Sequence, residues 1–198
     1  MLRRGMMRKA AGGLPAAYRR VEYLESSGTQ YIDTGYTPVQ NDAFYVEFML
    51  TSVSPNSVVF SAGTVKQVIL LLHSDSTAYV HYFSSGKAAT FNFPTTISNI
   101  WSNATISGSG DIDINGNTGT KTYEGALTDD PNLWLFRRRN DSQPFYGRIR
   151  AFTITNNGTP KMNLIPCYRA SDNEPGMYDT VSGTFYTNAG SGEFIIPT

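Results

Sequence analysis

The chain has 198 residues, of which 40% are hydrophobic and only 16% carry charge. Its length is that of one domain with a large core. Its charge is too low for a coiled coil or a charged disordered segment. It contains no apolar run of about 18 residues, which excludes a membrane-spanning helix. Cys167 is the single cysteine, which excludes an intrachain disulfide and a cysteine-built zinc site, and its apolar surroundings in the sequence predict a buried, unreactive thiol.

The first 20 residues differ in charge from the rest of the chain. They hold six bases and no acid, a net charge of +6, whereas residues 21–198 hold ten bases and 16 acids, a net charge of −6. The six bases are Arg3, Arg4, Arg8, Lys9, Arg19 and Arg20. No apolar stretch follows them, so the segment lacks the pattern of a signal peptide. Two interpretations stay open for this N-terminal arm: a flexible leader, or an anchor that orders on an acidic partner.

From residue 21 onward the hydrophobic pattern has a period of two, which is typical of β-strands. Apolar and more polar residues alternate over 44–51 and 77–83, and no segment shows the i, i+3, i+4 stripe of a helix. Further strands are predicted at 21–25, 29–33, 57–62, 66–73, 87–93, 100–106, 111–115, 119–124, 132–138, 146–156, 160–168, 184–187 and 193–196. Turn dipeptides such as Asn115-Gly116 separate them, so residues 21–198 are predicted to form an all-β sandwich or barrel.

Two of the predicted strands are apolar on both faces, over 68–72 and 133–136. A two-layer sandwich leaves one face of each strand toward solvent. We therefore expect these strands to be central, with their second face covered by a loop, a small third sheet or a partner.

The ligand-binding candidates lie on the strand 77–83. Tyr79, His81 and Phe83 share the face opposite Ala78 and Val80 in a regular strand. An aromatic plate with polar neighbours is the combination that binds sugars, so Tyr79 and His81 are candidate ligand residues, and Trp101 is expected to cap the same face. Arg137 and Arg139, from a run of three arginines, are candidates for an anionic group. The alternative is that all of these side chains simply cover the sheet.

The segment from Asp111 to Gly116 has two interpretations. It matches the first half of a calcium loop, but its twelfth position is Thr122 rather than glutamate. The Asn-Gly dipeptide favours a type I′ hairpin instead. Asp111 and Asp113 are also the acids with the spacing for a glycosidase pair on one strand, although they precede the turn. We expect no metal or other cofactor; calcium, with Asp129, Asp130 and Asn132 as further candidate ligands, is the open alternative.

Several segments resemble the concanavalin A-like, laminin G-like lectin/glucanase module of virion and tail-associated proteins of gut bacteriophages and prophages. They are 21–35, 147–158, 163–169, 176–179, 183–186 and 188–194, in the order the module has them. The resemblance covers about 18–196, with a generic middle. It implies a jelly-roll sandwich of two curved antiparallel sheets, and binding or virion structure more often than catalysis. The Glu-x-Asp-x-x-Glu pattern of the glucanase relatives is absent.

The sequence and the resemblance together lead to one expectation. The protein is a non-enzymatic virion component, decorating the phage head or tail, made in the host cytoplasm and oligomeric in the particle. Residues 1–20 attach it to capsid or tail proteins, and residues 21–198 bind surface glycans of the bacterial host. The alternatives are a bacterial cell-surface lectin or adhesin and, on the same fold, a glycan hydrolase.

Overall fold

A computed structural model describes residues 13–52, 54, 56–139 and 143–197. Within these residues the chain forms sixteen β-strands and no helix, which confirms the all-β prediction. The strands are β1 Tyr18–Arg20, β2 Leu24–Ser27, β3 Ile32–Asp33, β4 Asp42–Leu50, β5 Ser57–Ala62, β6 Gln67–Leu72, β7 Thr77–Ser84, β8 Ala89–Asn92, β9 Ser102–Ile106, β10 Asp111–Ile114, β11 Asn117–Thr120, β12 Trp134–Leu135, β13 Tyr146–Asn156, β14 Thr159–Arg169, β15 Pro175–Asp179 and β16 Phe185–Thr187.

The strands make two antiparallel sheets that pack face to face. The ten-stranded sheet has the order β11-β10-β9-β4-β13-β14-β15-β16, with β1 paired to β14 and β2 to β13. The six-stranded sheet has the order β3-β12-β5-β6-β7-β8. Among the described residues, eight of the fourteen strand pairs join consecutive strands, and six join strands that are not consecutive, such as β4 with β13 and β5 with β12. Such non-consecutive pairs are typical of a jelly roll. No helix long and apolar enough to cross a membrane occurs among the described residues.

Alternating burial along β4 shows why this sequence forms a sandwich. Every second residue of β4 is buried, and Phe44 stacks on Phe60 of the other sheet with 5.7 Å between ring centroids. Phe60 in turn meets Phe152 of β13 edge-on at 5.4 Å. Each such side chain stabilises the fold by roughly 1.5–3 kcal/mol when it leaves water. The interlocking rings therefore hold the two sheets together across the centre.

The structure extends the sandwich beyond its predicted beginning. Strand β1 pairs with β14, with Arg19 opposite Tyr168 and Arg20 opposite Cys167. Arg19 and Arg20, two of the six bases assigned to the N-terminal arm, are therefore part of the ten-stranded sheet. Arg3, Arg4, Arg8 and Lys9 lie outside the described residues.

Two local predictions are confirmed. Asn115 and Gly116 form the turn between β10 and β11, with φ of 52° and 83°, and Ile112 and Ile114 point into the core. The Cys167 thiol is buried and free, and this burial raises its pKa to about 11. A thiol with so high a pKa is almost entirely protonated near neutral pH, where it is a poor nucleophile.

Candidate ligand-binding groove

The outer face of the six-stranded sheet carries two of the predicted ligand residues. Across this sheet, Ser61 of β5, Ile69 of β6 and His81 of β7 are aligned in one row. The next row aligns Leu71 of β6 with Tyr79 of β7. Because residues two apart on a strand share a face, Tyr79 and His81 lie side by side on this surface, as their spacing predicts.

Two adjoining depressions indent this surface. One, of about 210 Å³, has Ile69 and Leu71 as its floor, and the other measures about 270 Å³. They share Tyr79 and Ala88, and we call them together the outer-face groove. The groove is lined by Gln67, Ile69, Leu71, Tyr79, His81, Ser85, Gly86, Lys87, Ala88, Thr90 and Arg138.

The floor of the groove is the second apolar face that the sequence predicts. Val58, Ile69 and Leu71 form a small cluster separate from the main core, and the ring of Tyr79 packs against it. The sequence predicts that the second face of strand 68–72 is covered by a loop, a small third sheet or a partner. Ile69 and Leu71 are buried and yet line the groove, so they form its apolar base.

Tyr79 is held as a plate by its neighbours. The ring of His73 stacks on it with 5.0 Å between centroids and 27° between planes. The His73 Nδ1 atom lies 2.8 Å from Oδ1 of Asn56, which fixes the imidazole. A ring immobilised in this way offers an apolar surface at low entropic cost.

His81 supplies a neutral polar group beside that plate. Its Nδ1 atom lies 3.2 Å from the hydroxyl of Ser84. Burial lowers the pKa of His81, and the positive charges of Lys121 and Arg138 lower it further, against a smaller opposing effect of Glu124. The imidazole is therefore neutral near pH 7, with one nitrogen that donates and one that accepts a hydrogen bond.

Arg138 enters the groove from the segment 136–139, which pairs antiparallel with 143–145. This segment lies over β5, since the amide of Arg139 donates to the Ser61 hydroxyl at 2.8 Å. The Arg138 guanidinium donates to Oε1 of Gln143 at 2.8 Å and to Oε1 of Gln67 at 3.2 Å. Burial lowers its pKa. The sequence pattern singled out Arg137 and Arg139 instead, because a run of three identical residues does not show which of them faces the groove.

The structure places Arg137 and Arg139 in a stack beside the groove rather than in its lining. Tyr31 and Trp134 stack at 4.3 Å, with Arg139 over Trp134 at 4.3 Å and Arg137 over Tyr31 at 5.6 Å. Arg139 also pairs with Asp33 at 3.3 Å and with Asp130 at 3.4 Å. Because two carboxylates and a ring already surround its guanidinium, Arg139 stabilises the β3–β12 edge of the sheet.

Trp101 and Phe83 do not join the groove, contrary to the prediction. Trp101 lies on the outer face of the ten-stranded sheet, under the guanidinium of Arg150 at 4.3 Å and near Tyr23 at 6.1 Å. Phe83 adopts φ of 48° next to a register shift between β6 and β7, and its ring is buried in the main core. Strand alternation predicts a face only while the strand stays regular, and here an irregularity turns the ring inward.

Glu124 is the acidic group at the rim of the groove. Its carboxylate accepts hydrogen bonds from the Ser85 amide at 2.9 Å and from Lys121 at 3.0 Å, and these bonds lower its pKa to about 2. No Asp or Glu is among the described residues that line the groove. The pair of carboxylates that a retaining glycosidase uses is thus missing from this surface in the described part of the chain.

Asp111 and Asp113 lie instead on the ten-stranded sheet, beside a separate depression of about 360 Å³. Asp113 accepts a hydrogen bond from the amide of Gly116 at 2.8 Å, and Asp111 accepts one from Ser109 at 2.6 Å. Both carboxylates therefore stabilise turns. Nowhere in the described ranges do three or more His, Cys, Asp or Glu side chains gather as a metal ion would need.

Comparison with known proteins identifies the fold. The sequence matches no protein-family model and no curated protein sequence. A protein from Bacteroides ovatus, described as a "putative carbohydrate binding protein", superposes with a TM-score of 0.61 and 15% identity, over 91% of this chain and 60% of that one. A heptameric SAP-like pentraxin from Limulus polyphemus aligns with a TM-score of 0.46 and 11% identity, over 68% of this chain and 73% of that one.

The chain therefore spans about 60% of the length of the Bacteroides protein that it matches. At this level of identity the likeness concerns the fold alone. It agrees with the two antiparallel layers described above and confirms the predicted concanavalin A-like jelly roll.

Proposed function

We propose that this protein binds a glycan in the outer-face groove and does not turn it over. The observation that carries the proposal is the fixed ring of Tyr79, which lies beside His81 and above an apolar floor. A sugar has an apolar C–H face and a rim of hydroxyls, so it needs one flat aromatic surface and a few polar groups at its edge.

Two further observations support this proposal. The Bacteroides protein with the same sandwich carries a carbohydrate-binding description, which makes a glycan the first ligand to test. The groove also offers hydrogen-bond donors and acceptors near Tyr79. The neutral imidazole of His81 both donates and accepts, and the guanidinium of Arg138 donates. Such a mixture suits sugar hydroxyls, each of which donates and accepts.

The alternative on the same fold is a glycan hydrolase, and the arrangement of acids favours binding instead. Glu124 sits at the rim, and its hydrogen bonds to Ser85 and Lys121 lower its pKa, which favours the ionised form over the protonated one that a glycosidase acid needs. Incubation with polysaccharides should accordingly release no reducing sugar.

A glycan array followed by titration calorimetry tests the binding site. Replacing Tyr79 by alanine should weaken the best ligand roughly tenfold, because the stacking surface is lost. Tyr79→Phe keeps the ring and should bind nearly as well. Trp101→Ala is the matched control, since it removes an aromatic ring from the opposite sheet. Equal affinities for Tyr79→Ala and the unaltered protein, with a preserved melting temperature, would contradict the proposal.

The N-terminal arm and the resemblance to phage proteins together suggest where this module acts. We propose that it is a component of a bacteriophage or prophage virion, that the bases of the N-terminal arm attach it to capsid or tail proteins, and that the sandwich presents the groove to glycans of the host surface. The resemblance of the segments described above supports it, together with the net charge of +6 in the first 20 residues. A bacterial cell-surface adhesin is the second candidate.

A further inference from the structure

The charge around the outer-face groove is unbalanced, and this imbalance indicates a class of ligand. The lining residues include the bases Arg138 and Lys87 and, in the described part of the chain, no acid. Two further lysines lie near the rim, because both contact Glu124. Lys121 donates to the Glu124 carboxylate, and Lys66 donates to the Glu124 backbone carbonyl at 2.8 Å. Among the described residues, Glu124 is the acid at the rim, and a neighbouring base already pairs with it.

Arg138 stands apart from four other arginines of this protein. Arg139, Arg148, Arg150 and Arg169 each lie within ion-pair distance of a carboxylate. Among the described residues, Arg138 has amide oxygens as its hydrogen-bond acceptors and no carboxylate partner. A half-buried charge without an opposite charge is costly to keep in a fold. A ligand with a negative group would place an opposite charge beside Arg138, which has none among the described residues.

The guanidinium of Arg138 is also held ready for such a ligand. Gln143 and Gln67 each accept one of its hydrogen bonds, and the Gln67 side-chain amide donates to the Thr64 carbonyl at 2.9 Å. A guanidinium has five N–H donors, so donors remain for a planar anionic group. Tyr79 and His81 line the same groove, which places the stacking surface and the charge within reach of one oligosaccharide.

We infer that the glycan bound in the outer-face groove is anionic, with a carboxylate or sulfate group received by Arg138 and a sugar ring stacked on Tyr79. This inference rests on the proposed function, because it names the class of glycan for the same groove.

The test uses the full chain and a panel of matched probes. The carboxylate probes are tetragalacturonate and its fully methyl-esterified form, which has the same sugars without the charge. The sulfate probe is a chondroitin sulfate tetrasaccharide, and its partner is the desulfated form, which keeps the uronate carboxylates and lacks only the sulfates. We expect at least one anionic probe to bind ten times more tightly than its own less charged form, and its affinity to fall with added salt.

Arg138→Gln should reduce the affinity for that anionic probe about tenfold or more, since a charge-assisted pair is lost. Arg138→Lys keeps the charge without the fork and should recover part of the affinity. Lys161→Gln is the matched control, because it removes one positive charge from an exposed position on β14. Melting temperatures of all three variants identify any loss that comes from unfolding.

A second measurement does not depend on any variant. In the unaltered protein, the anionic probe should raise the pKa of His81, followed by NMR of its imidazole, because a negative charge nearby favours the protonated ring. The uncharged probe should leave that pKa in place.

Two outcomes separate this inference from the proposed function. Equal binding of charged and uncharged probes, lost in Tyr79→Ala but kept in Arg138→Gln, overturns the anionic ligand and leaves glycan binding standing. An array of acidic and neutral glycans on which nothing binds overturns both.

Discussion

His81 shows how one side chain in the groove links ligand binding to stability. Its pKa in the folded protein is lowered by burial and by the charges of Lys121 and Arg138, while Glu124 opposes them. An unfolded histidine titrates near pH 6.5. Below that pH the unfolded chain takes up a proton that the folded protein resists, so the free energy of unfolding falls as the pH falls, until the folded-state pKa is passed.

We therefore expect His81→Gln to lose less stability than the unaltered protein between pH 7.5 and pH 5.5. Urea unfolding at both pH values measures the difference. His73→Gln is the control, because it removes the exposed histidine that stacks on Tyr79 and keeps His81. Identical losses in the His81 variant and the unaltered protein would show that this histidine does not contribute to the pH dependence.

The sequence was least informative about the positions of individual side chains in the site. Tyr79 and His81 follow from strand alternation, which needs only a regular strand. Arg138 does not, because a run of three arginines gives no sign of which one faces the groove. The position of Trp101 depends on which sheet its strand joins, and that pairing is decided by contacts between residues far apart in sequence.

At the scale of the elements, the turns and the strand interiors use glycine for different reasons. Gly116 has φ of 83° in the β10–β11 turn, and a Cβ there would meet open space. Gly147 lies in β13, where a Cβ would stand 2.3 Å from the carbonyl oxygen of Met49 and 2.6 Å from the ring of Phe145. Gly116 is needed because other residues rarely adopt its positive φ. Gly147 is needed because there is no room for a side chain at its position.

Gly116→Ala should cost about 1–2 kcal/mol of unfolding free energy, the strain of a side chain at positive φ. Gly147→Ala should cost more, about 3 kcal/mol, because strand backbone must move to make room. Chemical denaturation of the two variants compares these costs, with Gly158→Ala as a second open turn position at φ of 78°. A Gly116 variant as unstable as the Gly147 variant would contradict this distinction.

Two strands escaped prediction, each for an identifiable reason. Strand β15 begins with Pro175-Gly176, a dipeptide typical of turns, yet it pairs with both β14 and β16. Strand β1 contains two arginines, and their charge made the segment look like part of a solvated arm. Both strands exist because neighbouring strands offer them partners, which overrides the local preference.

The boundary of the N-terminal arm decides how the role of that arm can be tested. The ring of Tyr18 packs against Tyr178 at 4.9 Å and against Phe185 at 4.8 Å, so β1 supports the far edge of the ten-stranded sheet. Removal of residues 1–20 would delete this strand together with the bases of the arm. Any loss of particle attachment would then be confused with loss of stability.

Removal of residues 1–12 should leave the melting temperature unchanged, because every contact described above stays in place. Removal of residues 1–20 should lower it by roughly 5–10 °C, as expected for the loss of a few kcal/mol in a domain of this size. If the arm is an anchor, the shorter deletion alone abolishes incorporation into virus particles. Full incorporation of the 1–12 deletion, counted per particle by quantitative blotting, would refute the anchor.

The two layers also meet along both of their sides, where β11 lies near β8 and β16 lies near β3. An exposed edge strand has unpaired backbone N–H and C=O groups, which can pair with a strand of another molecule and lead to aggregation. Here each edge strand of one sheet lies near an edge strand of the other sheet. We therefore expect copies of this domain to pack closely at high concentration without forming intermolecular backbone hydrogen bonds. Contacts between neighbouring copies would then be made by side chains on the outer faces of the two sheets.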